Sequence, residues 1–377
     1  ENQTGSGPFT VSEWVQGDRF VINAVSDHWR KTPLVDTIKG VAVPEQQTRL
    51  AMMRTGEADI TEMAIGRQPE LQEQGFILQG AGLNTQMGVF FAGNLWAENH
   101  HITGEKLTRG QVFVHDIPWI GNPLKPNDGN NPDGMDDMEQ ARVVREALAI
   151  AIDRDLINEV ILGGQGFPAH IEYFGSVQPE FKDEWKYEYD PKKAMALLTS
   201  AGFPDGFDMP FYTGPEFGGG QGLNGEIADA ISGFWREIGV ETEVLKYAYQ
   251  VWRPSVVGRS QTTPWITNCG FGKANYPWDW PRGLQMTSRT RGAFGCGFEA
   301  PFVADRFVAV ASEPDKAKRI ELNTEIAEYL RHWNLSVGVV AVPGQIVYNP
   351  NSIASWEMTG AVRSAFTSPE NIVPASR

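Results

Sequence analysis

Residues 139–164 read EQARVVREALAIAIDRDLINEVILGG, and this run constrains the chain more than any other. Val143, Val144, Ala147, Leu148 and Ala151 recur at helical spacing and form one apolar stripe, with Arg142, Arg145 and Glu146 on the opposite face. Asp153 supplies a side-chain acceptor for the open N–H groups of a second, shorter helix, which is expected to bury Leu156, Ile157, Val160 and Ile161. That helix stops at Gly163-Gly164, where a residue can turn left-handed without a Cβ clash. A third helix opens at Asp190-Pro191, carries Ala194, Leu197, Leu198 and Ala201 as its stripe, and ends at Gly202. Taken alone, these amphipathic helices imply a packed fold and no chemistry.

With 377 residues the chain can bury at least two cores. Its 41% hydrophobic and 21% charged residues exclude wholesale disorder, and 40 glycines with 24 prolines point to many loops rather than long bundles. A formal net charge of -15 argues against a nucleic-acid backbone or an anionic membrane as partner. The two cysteines, Cys269 and Cys296, form no CxxC or Cys/His cluster, so no zinc site is expected, and whether they pair is open. No apolar run approaches the ~20 residues that a spanning helix needs. The first residues, ENQTGSGPF, lack an initiator Met and a leader pattern, so a processed product or fragment is expected.

Along the chain, residues 5–30 alternate apolar and polar about Gln16-Gly17-Asp18 and predict a β-hairpin. A strand over 38–43, a helix over 45–54 with Leu50 and Met53 inward, and a strand from Ala58 follow; this order suits an α/β lobe. Residues 97–138 read as a long surface excursion. Its KPNDGNNPDGMDD run fails as a calcium loop, because counting from Asp128 the sixth position, where the sharp turn needs glycine, is Asp133. Gly220, Gly222 and Gly225 form a GxGxxG before a helix over 226–238, the outline of a nucleotide-dependent oxidoreductase. The preceding strand over 209–213 ends several residues too early for that turn. A helix opens at Pro314 with Ile320, Asn323, Ile326, Ala327 and Leu330 inward, and residues 337–348 predict a strand pair broken at Pro343-Gly344. No GxSxG, HExxH or Cys–His neighbourhood appears, and no enzyme activity is expected.

The phrases VREALAIAIDRDLINEVILGGQGFPA, YDPKKAMALLTSAGFPDGF and IADAISGFWREIGVETEV, in that order, resemble the family 5 extracellular solute-binding proteins of ABC importers. RLAMMRTGEADI and the early GSGPF phrase, with His28-Trp29 in the place of an aromatic pair, extend the likeness. The resemblance implies an α/β, two-lobed periplasmic-binding-protein (type II) fold with a hinge between lobes. Lobe I would hold residues 1–85, lobe II 86–345, and 346–377 would return to lobe I, with the first hinge near Gly82 to Gly88. It further implies a chain incomplete at its N-terminus, since family members have a sizeable portion before the GSGPF place.

The ligand reading rests on WITNCGFGKANYPWDWP, residues 265–281, where an apolar strand runs into Phe271, Tyr276, Trp278 and Trp280 with Lys273, Asn275 and Asp279 among them. Aromatic faces bind solutes by stacking and burial while polar groups orient them. By residue type alone, a buried aromatic corner is the commoner state. The resemblance reverses this, because the family's loop here lines the ligand cleft. Gly270-Phe271 takes the place of a Gly-Trp pair and Asn275-Tyr276 that of an Asp-Tyr pair whose Asp, in peptide binders, meets a terminal ammonium. An amide accepts a hydrogen bond but neutralises nothing, and charge-assisted bonds are about twice as strong. Asp279 could replace the lost carboxylate, whereas Lys273 would repel a cation. Arg259 is a further ligand-binding candidate as an anion partner, although an exposed arginine is the commoner state for its type. The expected molecule is a monomeric periplasmic or extracellular receptor, lipid-anchored or free. It would use no cofactor or metal and deliver a peptide-like solute to an ABC permease by hinge closure, with an oligosaccharide receptor as the alternative.

Overall fold

The computed structural model describes residues 5–99, 103–107, 117–125, 135–171, 174–176, 179–214, 223–246, 249–270, 297–358 and 366–376; side chains are not described at 81–85, 249, 257 and 268–270. The chain divides into two compact units, one of Glu1–Leu83 with Pro343–Arg377 and one of Asn84–Val342.

The first unit opens with an antiparallel sheet of β1 (Phe9–Val15), β2 (Arg19–Ala24) and β3 (Thr37–Val41), in that order. Gly17 takes a φ of 76° in the predicted hairpin turn. Phe20 pairs with Gly40, and a Cβ on Gly40 would sit 2.0 Å from the Phe20 ring, so only glycine lets the ring lie flat there. Helix α1 (Gln46–Thr55) buries Leu50 and Met53 and ends at Gly56, left-handed at φ 74°. After β4 (Ile60–Thr61) and α2 (Gln68–Glu73), a small core gathers Leu50, Met53, Met63, Leu71 and Val347. Strand β5 (Ile77–Phe90) then runs through Leu83 into the second unit.

That unit carries the helices that the stripes predicted: α3 (Asp137–Ile150), α4 (Arg154–Leu162) and, after the short β6 (Phe167–Pro168), α5 (Pro191–Ser200). Asp153 and Asp190 accept from the backbone N–H of Leu156 and Lys193 at 2.9 and 2.8 Å, the N-caps read from the sequence. Three corrections concern which side chains go inside. Arg145, placed on the polar face of α3, is fully buried. Leu156 and Val160, expected inside, are exposed, because α4 turns Arg154, Ile157 and Leu162 inward instead. Capping fixes where a helix starts, but the neighbouring elements choose the face.

Next come β7 (Phe207–Thr213), α6 (Leu223–Glu237), β8 (Val240–Leu245), α7 (Tyr249–Val257) and β9 (Trp265–Gly270). β7 pairs in parallel with β8 and β9, and β5 pairs antiparallel to β9. Gly206 and Gly239, both left-handed, meet where β7 and β8 begin; a Cβ on Gly206 would lie 1.8 Å from the Gly239 carbonyl. Helices α8 (Pro301–Ser312) and α9 (Lys316–Trp333) come after them; α9 buries Asn323, Ile326, Ala327 and Leu330. The core here is large and aromatic, including Phe90, Trp96, Tyr212, Trp252, Trp265 and Phe298.

Strand β10 (Ser336–Tyr348) returns the chain to the first unit as one continuous strand, which corrects the expected break at Pro343-Gly344. It pairs with β6 at Val340 and Ala341 and with β4 at Val347 and Tyr348, and it neighbours β5. β11 (Ile353–Trp356) and β12 (Ile372–Pro374) close the first unit as an antiparallel pair over a core of Ile346, Tyr348, Ile353, Trp356 and Ile372.

Candidate functional site

Because β7, β8 and β9 are parallel, their carboxyl ends share one edge of the sheet. In open α/β sheets that edge is where ligands bind, since the segments leaving the strands are free to vary around a rigid base. The stretch 271–296 leaves the carboxyl end of β9, which lies between β5 and β7. Phe271, Lys273, Asn275, Tyr276, Trp278, Asp279 and Trp280 lie outside the described residues, as do the side chains of Cys269 and Cys296, the acidic 126–134 run and Gly220 with Gly222. Gly225 lies within α6.

What is described is the attachment of that stretch. Gly270 pairs with Gln86 on β5, two residues after the chain enters the second unit at Asn84. Gln86 is buried, and its Nε2 has no hydrogen-bond partner among the described residues. A buried donor without a described partner, opposite the end of β9, is a feature that ligand sites use. At the far end, the Gly297 carbonyl accepts from the Gly93 N–H at 2.7 Å, and Glu299 exchanges backbone bonds with Asn94 and Trp96. Beneath, Trp265 packs against Phe90 and Trp252 with ring centroids 5.4 and 4.2 Å away, which makes the base of the strand an aromatic block.

Arg259 is buried, not on the exposed surface usual for its type. Its Nε and Nη2 donate to the two carboxylate oxygens of Glu299 at 2.8 and 2.7 Å, and Glu299 is itself buried. The partners are 40 residues apart, so no local pattern announces Glu299, and residue type alone does not single it out.

Three buried groups of this unit with strongly shifted titration, Arg145, Arg154 and His170, are structural. Arg145 donates from Nε to the Trp333 carbonyl at 2.9 Å and from Nη1 to the Trp119 carbonyl and Asn94 Oδ1 at 2.8 and 3.2 Å. Burial, then the nearby Arg142 charge, pulls its guanidinium down to about 9. Arg154 holds four carbonyls, those of Ala149, Ile152, Ala169 and Gly338, and burial brings it to about 10. His170 Nδ1 accepts from the Tyr187 N–H at 3.0 Å; burial first and the Arg154 charge second push its imidazole down to about 3. Each of these groups fastens backbone segments together. Among the described residues no three His, Cys, Asp or Glu side chains gather as metal ligands. A surface depression of about 440 Å³ lined by Arg142, Glu146, Trp185, Lys193 and Arg331 mixes charges of both signs and selects neither.

Residues 1–263 match the family described as bacterial extracellular solute-binding proteins, family 5 middle, and the chain belongs to this family. It is 29% identical over 216 residues to the glutathione-binding protein GsiB of Salmonella paratyphi A, a match covering 55% of this chain and 33% of that protein. It is 24% identical over 257 residues to the dipeptide-binding protein of Escherichia coli, covering 66% of this chain and 39% of that one. Among solved structures, AgaA from A.tumefacien R10 with agropinic acid superposes with a TM-score of 0.71 at 16% identity, over 98% of this chain and 67% of the other. AppA from Bacillus subtilis with a nonapeptide gives 0.68 at 15% identity, over 99% and 67%. These structures share the α/β fold. The matches span about a third of the curated relatives' length and about two thirds of the solved structures. No helix among the described residues is long and apolar enough to cross a membrane.

Proposed function

We propose that this chain is the solute-binding portion of an extracellular or periplasmic receptor that hands a peptide-like solute to an ABC importer and catalyses no reaction. The observation that carries this reading is the family match over residues 1–263. The aromatic stretch that leaves β9 at the carboxyl edge of the sheet supports it as the place of contact. In this reading Phe271, Tyr276, Trp278 and Trp280 stack on the solute, Asn275 and Asp279 orient it, and Lys273 disfavours a cationic end. Lobe I comprises 1–85 and 346–377 and lobe II 86–345. The strands β5 and β10 carry the hinge, because they are the two elements that continue from one compact unit into the other. A solute that makes contacts only in the closed state shifts the population toward closure by that difference in affinity. The receptor acts as a monomer, without cofactor or metal, beside its permease; a lipid anchor is one way to hold it there.

A second reading, an oligosaccharide receptor of the same family, is favoured by Asn275 standing where peptide binders place an acid. Melting curves against dipeptides, glutathione and oligosaccharides separate the two. A solute present at 100 times its Kd stabilises by about 2.7 kcal/mol, an easily measured shift. A rise with peptides and none with sugars supports the first reading; sugars alone would retire it, and no shift with either would count against both.

A further inference from the structure

We infer that Arg259 and Glu299 are a positioning pair that fixes Gly297–Glu299, the point where the chain rejoins the described fold after the aromatic stretch 271–296, and that Arg259 serves the solute through Glu299 rather than by touching it; this rests on the solute-binding reading above. Both ends of the stretch attach to one segment of chain. It begins at Gly270, opposite Gln86, and it ends at Gly297–Glu299, bonded through the backbone to Gly93, Asn94 and Trp96. At the exit the fit is tight: a Cβ on Gly297 would lie 2.6 Å from the Ala92 Cβ, and Gly297 is left-handed at φ 94°. The described side-chain tie from this exit to the α7 side is the two-pronged Arg259–Glu299 bond.

Arg259 reaches Glu299 from the turn that ends α7. There it takes a left-handed φ of 58°, unusual for a residue with a Cβ, under turn bonds from Gly258 N–H to Pro254 and from Arg259 N–H to Val256. A strained backbone position persists when its surroundings require it, and here it aims a planar fork at a carboxylate. The two side chains are 7% and 5% exposed. A buried ion pair adds little net stability over well-packed apolar side chains of the same size, whereas its fork fixes distance and plane together. Geometry at the exit of the stretch is therefore what the pair supplies.

The test uses the full chain with reduced glutathione and the dipeptide Met-Leu as calorimetric probes, together with hydrogen exchange in the absence of solute. Arg259→Lys keeps the charge and loses the fork. For whichever probe the wild type binds, affinity should fall about tenfold, the size expected for one lost charge-assisted bond. Exchange at 93–99 and 297–304 should speed up while α3 stays protected. In the double variant Arg259→Met/Glu299→Met, the melting temperature should return toward wild type while affinity stays weakened, a split that a merely structural pair would not give. Wild-type affinity and exchange in the double variant would overturn the inference. So would affinity and melting temperature falling together in Arg259→Lys and recovering together in the double. If the double variant fails to fold, the contrast between 297–304 and α3 in Arg259→Lys decides. If the wild type binds neither probe, the solute reading loses support, and the exchange result alone decides the pair.

Discussion

The two units solve the problem of burial differently. The second wraps parallel strands and helices about a continuous aromatic core and fastens its segments with the buried cations of Arg145 and Arg154. The first holds two small clusters, and its three-stranded sheet shows Trp14 at 69% exposure, with Val11 and Val41 also open to solvent and Trp29 nearby at 75%. The difference teaches where substitutions matter: the aromatic side chains at the core of the second unit have neighbours on all sides, whereas a face of the first unit has neighbours on one.

The largest effect expected is that of Trp265→Ala, which empties a fully buried site between Phe90 and Trp252 and should cost about 3–5 kcal/mol in denaturant unfolding. Arg145→Met should come next at about 2 kcal/mol. It removes a costly buried charge but takes the Arg145 donor from the Trp333 carbonyl and leaves the Trp119 carbonyl with Asn94 Nδ2 alone, and the lost bonds outweigh the relief. Both costs should fall on the transition of the second unit, read by exchange in α3 against exchange in β2.

A third test uses pH. The His170 pKa lies near 3 in the folded protein against 6.5 for the free side chain, so the unfolded chain binds the extra proton between these values. Stability from this group is complete above 6.5 and falls with acidification, by up to about 1.4 kcal/mol per pH unit. His170→Gln should flatten that slope in urea titrations between about pH 6.5 and 5. The smallest effect is expected for Trp14→Thr in the first unit, within about 0.5 kcal/mol, because the ring contact given up among the described residues is that with Phe20 at 6.2 Å, from an exposed position. A cost near that of Trp265→Ala would break the comparison, since it would mean that this face is covered in solution.

The sequence discloses most of the second unit, because its signals are local. Asp153, Asp190, Gly163 and Gly202 mark helix ends within a few residues of the stripes they serve, and the family phrases run through the same elements. Burial of charge is not legible in this way. Arg145 sits among Arg142 and Glu146 and looks like its neighbours; the carbonyls of Trp119 and Trp333 and the Asn94 amide oxygen, all remote in sequence, draw it inside. Arg259 stands out as a candidate, but its partner Glu299 is fixed by tertiary pairing, and Gln86 by its register with Gly270. The expected break at Pro343-Gly344 fails for a related reason. Proline and glycine disfavour a strand locally, but β10 has partners before and after that point, and the ladder carries the backbone through.

The order in which the chain is made bears on the first unit. The second is continuous from Asn84 to Val342, so all of it can be translated and folded before the C-terminal segment leaves the ribosome. The first is split, and the five buried residues of one of its clusters, Ile346, Tyr348, Ile353, Trp356 and Ile372, all come from that final segment. Until they emerge, Val35, Ile38 and Ile60 are waiting for the surface they pack against, although they were synthesised hundreds of residues earlier. A chain truncated after Val342 and released should therefore resist protease in the helices α3 to α9 and be cut readily in β1 to β3.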